Sequence, residues 1–369
     1  MSSPFPVVTV DPIHVLTVRR TLADQSAVAL ALAEILPDIR DTLTGPPLAL
    51  RTGFPRDGKA DFDLCFPVAP KTERDGFVAR TLPSLPVFSI VHEGALKDGP
   101  EGTNLADTWQ RFVEFVGEAG ILVGDDPARF VYHDGLETVG TDAERVRLEV
   151  QYSYHMPMWL AAFRDGVTRC VGADAAERIL AGTDGLAEAF DGPKAAEWVQ
   201  GAVERLDREV ADERSRACIL NACAHHYIVQ SGELLQAAWD EVGHDLRALM
   251  QKITDEPFLG SKYWLDESGD EPLIYIERRP ARLEAYENAT DPVEKRYLAC
   301  FCPLVRDAIR DGKDVSRTFC HCSSGWYVQE WAIVFGEKPQ VDLIETMLDG
   351  ADACLFAVHV PEGFLPKQP

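Results

Sequence analysis

Two cysteine pairs, Cys300-Phe-Cys302 and Cys320-His-Cys322, are separated by 17 residues. Four thiolates suit Zn2+, which takes four nitrogen or sulfur donors in a tetrahedron, about 2.3 Å from each sulfur. Pro303 and the Ser323-Ser324-Gly325 run give each pair a loop-like end that can turn inward. The spacing therefore supports a structural zinc ion held by Cys300, Cys302, Cys320 and Cys322. Two other readings stay open: redox or ligand-contacting thiols, and small apolar residues of a core. Cys218 and Cys223 with His225-His226 form a further group, and Cys354 beside Phe356 reads as core.

A second set of residues points to a carboxylate and ring faces. Glu149 lies in a strand pattern between Leu148 and Val150. In a cleft it would read a cationic ligand or act as a base of raised pKa. With Glu149 or His92 activating water and Tyr132 positioning a reactive ligand, these residues would make a hydrolytic site. Trp109, Phe112, Tyr132 and Tyr152 offer ring faces to a flat compound or a cation. The bland alternative is a solvated strand face for Glu149, a solvated strand end for His92 and core packing for the rings. Alternation adds a constraint: on a regular strand Glu149 and Tyr152 point to opposite faces, so only one of them meets a given cleft. The chain contains no Gly-x-Gly-x-x-Gly, Walker loop, His-Glu-x-x-His or Gly-x-Ser-x-Gly. No nucleotide cofactor is expected.

The elements that must position these groups repeat. Val15–Leu22 and Val87–Gly94 each read as a strand following a proline turn. An apolar stripe at helical spacing follows each one, Val28, Leu32, Ile35, Ile39 and Leu43 in the first copy and Leu105, Trp109, Phe112, Val113 and Val116 in the second. Two short strands close each copy, at 48–52 and 62–68, then at 129–133 and 148–154. The first half is thus a tandem β-α-β-β repeat. Neither copy can bury both faces alone, so the two should pair about a pseudo-two-fold, with a ligand cleft at the crease. Asp63 is the repeat counterpart of Glu149.

The second half differs. Eight of the nine cysteines lie in it. Residues 156–172 read as a junction, helices are expected at about 173–181, 193–222, 231–252 and 303–311 and before Gly336, and strands at about 273–277, 341–347 and 353–360. The fold class is α+β, with domains at 1–155 and 156–369.

The 369 residues are 46 % apolar, enough for two real cores. Lys and Arg number 36 against 60 Asp and Glu, a net charge of −24. Both halves are acidic, at −9 and −15. Such a surface repels phosphate backbones and anionic membranes, so neither a nucleic-acid nor a membrane partner is expected. The apolar runs fall short of the roughly 18 residues that span a bilayer, and Met1-Ser-Ser-Pro-Phe-Pro shows no secretory pattern. A cytoplasmic protein with reduced thiols is the expectation. Oligomeric state is not encoded in any of these features.

Residues 7–154 resemble the GyrI-like small-molecule-binding domain, also found as the effector domain of some MerR-type multidrug regulators. The resemblance rests on Leu82-Pro83 through Gly94, Trp109-Gln-Arg-Phe112, Tyr132-His-Asp134 and Leu148-Glu149-Val-Gln-Tyr152. It implies a pocket for bulky, flat, often cationic compounds, lined by aromatics with a buried carboxylate. It also implies kinship with hydrolases of strained electrophiles. The family usually places an acidic residue just before the Val-Tyr pair of the third strand, and here that position is Phe130. The cysteine-rich end, about 215–360, resembles an uncharacterised bacterial family. Gly350-Ala-Asp-Ala-Cys354-Leu-Phe356 is similar to the close of the vinyl-reductase-type small-molecule-binding domain. That likeness implies an α+β ligand-binding fold. The combined expectation is a small-molecule sensor or sequestering factor for bulky apolar or cationic compounds. A detoxifying hydrolase and a thiol or metal sensor are the alternatives.

Overall fold

A computed structural model describes residues 7–52, 59–97, 104–119, 124, 126–141, 144–183, 186, 192–224, 229–256, 259 and 261–365. His225 and His226 lie outside them. The chain divides between His155 and Met156 into two units.

The first unit is built on one eight-stranded antiparallel sheet. Its elements are β1 (Val7–Val10), β2 (Ile13–Leu22), α1 (Gln25–Ile39), β3 (Leu48–Arg51), β4 (Ala60–Pro67), β5 (Val78–Leu82), β6 (Leu85–Gly94), α2 (Leu105–Ala119), β7 (Arg129–Asp134) and β8 (Val146–Ser153). The expected tandem repeat is present as β2-α1-β3-β4 and β6-α2-β7-β8. The strand order β1-β6-β8-β7-β3-β4-β2-β5 joins the copies through β3 and β7. There Leu48, Ala49 and Leu50 stand opposite Val131, Phe130 and Arg129. The copies also exchange edges. β1 precedes the first repeat but pairs with β6 of the second, and β5 precedes the second but pairs with β2 of the first. Asp24 starts α1 by accepting from Ala27 N, an N-cap that stabilises by about 1 kcal/mol. The helix stops at Ile39, so Leu43, expected on its stripe, instead bridges to Val68.

Alternation along the strands separates two faces. Phe62, Leu64 and Phe66 of β4, Phe88 of β6, Phe130 and Tyr132 of β7 and Leu148, Val150 and Tyr152 of β8 share the face that α1 and α2 cover. The opposite face holds a smaller apolar cluster of Val15, Leu48, Leu50, Cys65, Leu82 and Val131. Each large side chain so buried stabilises by about 1.5–3 kcal/mol.

The second unit is helix-rich around a four-stranded antiparallel sheet. It runs α3 (Met156–Val171), α4 (Ala173–Ile179), α5 (Gly192–Glu209), α6 (Glu213–Asn221), α7 (Val229–Glu241), α8 (Leu246–Asp255), β9 (Ser261–Asp266), β10 (Leu273–Arg278), α9 (Leu283–Asn288), α10 (Pro292–Ala299), α11 (Arg306–Asp311), α12 (His321–Phe335), β11 (Val341–Glu345) and β12 (Leu355–His359). The sheet order is β11-β12-β10-β9. Trp331 and Tyr327 of α12 and Phe356 of β12 sit in one core with Ile274 and Ile276.

Three expectations change here. The junction at 156–172 is a helix, because Met156, Trp159, Leu160, Phe163 and Val167 make one buried stripe. The helix expected over 193–222 is two helices: Asp212 leaves helical geometry and caps α6 by accepting from Ser215 N. The one expected over 231–252 breaks at Gly243 and His244, both at positive φ, and Asp245 caps α8. Strand β9 also joins the sheet as the partner of β10. Among the described residues no helix is long and apolar enough to cross a membrane.

Candidate small-molecule site

The helix-covered face of the first unit gathers four rings. Phe112 stacks on Tyr152 at 5.1 Å and on Phe88 at 5.6 Å. Trp109, one turn earlier on α2, lies 5.5 Å from both Phe112 and Tyr152. The spacing of Trp109 and Phe112 puts both on the side of α2 that meets β6 and β8. Trp109 stays 39 % exposed and Tyr152 is half-buried, whereas Phe88 and Phe112 are buried. The cluster is thus a ring platform closed at its base and open at its edge. Burial pushes the Tyr152 hydroxyl well above its ordinary pKa, with Arg51 pulling the other way. Phe130 is buried on the same face, next to Val150 in register and beside the β3–β7 seam.

Glu149 is on the other face. Its Oε2 lies 2.9 Å from His133 Nε2, and its Oε1 accepts from Gln151 Nε2 at 3.1 Å. Burial pushes its pKa up, but His133, Gln151 and Ser89 outweigh that and hold the carboxyl below its ordinary value. His133 was not singled out in the sequence. It occupies the irregular step of β7 between Tyr132 and Asp134, and a bulge leaves no trace in simple alternation. Asp63, the repeat counterpart, lies on the same face as Glu149. It is buried between Arg19 and Arg80, each at 2.8 Å.

Nor does the fold assemble Glu149, His92 and Tyr132. His92 and Tyr132 flank Leu148 from β6 and β7 on the helix-covered face, two strand spacings or about 10 Å apart. His92 is buried, and both ring nitrogens are engaged, Nδ1 with Thr108 Oγ1 at 2.9 Å and Nε2 with Ala95 O at 3.0 Å. Burial lowers its pKa, so it is a neutral structural imidazole. The Tyr132 hydroxyl is buried and donates to Gln25 Oε1 at 2.6 Å. Burial also raises its pKa far above the usual range.

In the second unit, Cys300, Cys302, Cys320 and Cys354 line one chamber of about 20 Å³. That is room for about one water-sized group. Arg278 lines it too, its guanidinium 4.0 Å from the centre of the Phe301 ring. Cys322 is not in that lining, and Cys354, read as core from the sequence, takes its place. Burial pushes the Cys300 thiol up to about 12 and the Cys322 thiol up to about 11, and it raises Cys302, Cys320 and Cys354 as well. A zinc site needs thiolates within bonding reach of one point. Among the described residues no three His, Cys, Asp or Glu side chains are grouped to hold a metal ion. The four expected ligands, as placed, do not fit a closed tetrahedral site. Cys223 is buried and Cys218 exposed.

No protein-family model matches the chain. No curated protein matches it either. Several solved structures are similar at low identity. The C-terminal domain of EcmrR shares 16 % identity over 40 % of this chain and 94 % of its own, with a TM-score of 0.32. EcmrR in a DNA complex shares 18 % over 40 % of this chain and 55 % of its own, at 0.33. SAV2435, solved bound to tetraphenylphosphonium, shares 13 % over 41 % of this chain and 93 % of its own, at 0.30. Scores of this size assign no family, ligand or partner.

Proposed function

We propose that the chain is a small-molecule-binding protein whose first unit takes a flat aromatic compound on the Trp109–Tyr152 edge. The observation that carries the reading is the open edge of a four-ring cluster: Trp109 keeps 39 % of its surface exposed while it packs at a tilt against buried Phe112 and half-buried Tyr152. Ring faces so placed attract flat aromatics, and attract cations through the ring quadrupole without any carboxylate. The resemblance to GyrI-like domains and the tandem β-α-β-β architecture agree with it. Sensing or sequestering is the role that binding without turnover serves. The hydrolase reading draws no support from the arrangement, because its three groups occupy two faces and all three are engaged in internal hydrogen bonds.

Calorimetric titration of the full chain with a planar aromatic dye cation and an uncharged analogue tests the reading. Saturable binding that returns the dye intact supports it. Absence of binding for every planar aromatic tried, or binding unaffected by Trp109→Ala, would remove it.

A further inference from the structure

The chamber lined by Cys300, Cys302, Cys320 and Cys354 also holds a thioether that cysteine spacing does not reveal. Met347, in the turn that follows β11, lines it as well. Among the described residues no imidazole and no carboxylate does. The groups it offers to an ion are therefore mostly sulfur. Thiolate and thioether donors select soft ions, Cu(I) among them, over ions that prefer oxygen.

The chamber is reachable. Cys302, Cys320 and Cys354 are only partly buried. Phe301, which lines the chamber too, is 44 % exposed.

Two of the thiols are the best placed to ionise onto a cation. Cys320 is the N-cap of α12, where the positive end of a 15-residue helix favours negative charge. Burial raises its thiol most, and among the other thiols Cys354 adds most to that rise. Two groups that resist ionising side by side are relieved by a cation placed between them. Burial raises the Cys354 thiol as well, with the Met347 N–H and the Arg278 guanidinium pulling it down. Arg278 lies opposite Cys354 in the sheet, its N–H donating to Cys354 O at 3.0 Å.

Charge then selects the valence. Arg278 lies over the Phe301 ring and has no carboxylate within ion-pair distance among the described residues, its neighbour Glu277 being paired with Lys262. Four thiolates around a divalent ion leave two negative charges, which one guanidinium does not offset. Two thiolates on a monovalent ion leave one, which Arg278 matches. A pair of thiolates also asks less of the fold than a closed tetrahedral site does.

From this we propose that the chamber binds one soft monovalent ion, Cu(I), between the thiolates of Cys320 and Cys354, with the Met347 thioether as a weaker third donor. Each thiol gives up one proton to solvent and the ion keeps its oxidation state, so no oxidant or reductant takes part. Room for about one water-sized group suits a single ion. This site is independent of the aromatic platform in the first unit.

Anaerobic titration of the full chain with Cu(I), in competition with a chromogenic cuprous chelator, tests it. The exposed thiols are first removed by Cys170→Ser and Cys218→Ser. One ion per chain should bind, and equimolar Zn2+ should not displace it. Cys320→Ser and Cys354→Ser should each weaken binding by about a hundredfold or more, and Met347→Leu by about tenfold. Cys322→Ser, outside the chamber lining, should leave the affinity unchanged in a chain shown to be folded by circular dichroism. X-ray absorption of the loaded protein needs no change in the chamber, and should show two short sulfur contacts and a longer third. Failure to bind one ion per chain overturns the proposal. Full-strength binding to Cys354→Ser, loss of binding in folded Cys322→Ser, or a copper shell of nitrogen or oxygen does the same.

Discussion

Glu149 and Tyr152 stand three residues apart on β8 and face opposite sides of the sheet. Tyr152 joins Phe88, Trp109 and Phe112 under α2, while Glu149 is engaged by His133 and Gln151. A compound stacked on the rings therefore does not meet the Glu149 carboxylate. Charge recognition on that face falls to the rings themselves, and Phe130 adds none.

The first prediction follows from that separation. Trp109→Ala should weaken a planar aromatic ligand by about 1–2 kcal/mol, the scale of one ring contact with its buried area. The fold should survive, since Trp109 is already partly exposed. Glu149→Gln should leave the affinity at pH 7 unchanged for cationic and neutral ligands alike. Parallel calorimetric titrations of the two variants decide it, and a selective loss of cation binding in Glu149→Gln would return the carboxylate to the site.

Stability below neutral pH should report Glu149 separately. Its folded pKa is lower than the ordinary 4.5, because the hydrogen bonds of His133, Gln151 and Ser89 outweigh burial. A group lowered on folding contributes stability that is complete above its unfolded pKa and is lost as pH falls through the folded value. Glu149→Gln should therefore flatten the stability curve of the first unit below about pH 4.5. Denaturant titrations at intervals between about pH 3 and 7 measure this slope. Identical slopes in wild type and variant would mean that the His133 contact does not persist in solution.

Gly325→Ala tests the crossing of α6 and α12. The new methyl would meet Asn221 O at 2.2 Å and Ala224 Cβ at 2.8 Å, and backbone on one side cannot swing away. Overpacking of this kind costs about 1–3 kcal/mol. The loss should appear as a lower Tm for the second unit by calorimetry, with the transition of the first unit unmoved.

Thiol titration and metal content bear on the cysteine pairs together. Exposed Cys170 and Cys218 should react quickly with a disulfide reagent near pH 8, while Cys300, pushed up to about 12, and Cys322, pushed up to about 11, should react only after unfolding. With the thiols placed as they are, protein purified without added metal should carry zinc well below one per chain. Elemental analysis checks this. Near-stoichiometric zinc would mean that Cys322 closes on the other three, as the Cys-x-Cys spacing first suggested.

Local patterning determined the first unit almost completely. The two apolar stripes, the paired proline turns and the alternation of 62–68 and 148–154 each encode an element through side-chain period alone. They also place Glu149 and Tyr152 on opposite faces, because that follows from the strand period of two. What the sequence left open was which face the helices cover. That depends on which strands pair across the whole sheet, and the β1–β6 and β5–β2 exchange is a long-range pairing with no local signal. The breaks at Asp212 and Gly243-His244 were hidden because apolar spacing runs on through a cap residue. The cysteines show the limit most plainly. Their spacing along the chain grouped Cys322 with Cys300, Cys302 and Cys320, but the return of β12 beside β10 brings Cys354 into the chamber instead. Spacing fixes what two nearby residues can do, whereas convergence of residues from separate elements is set by the packing of the whole core.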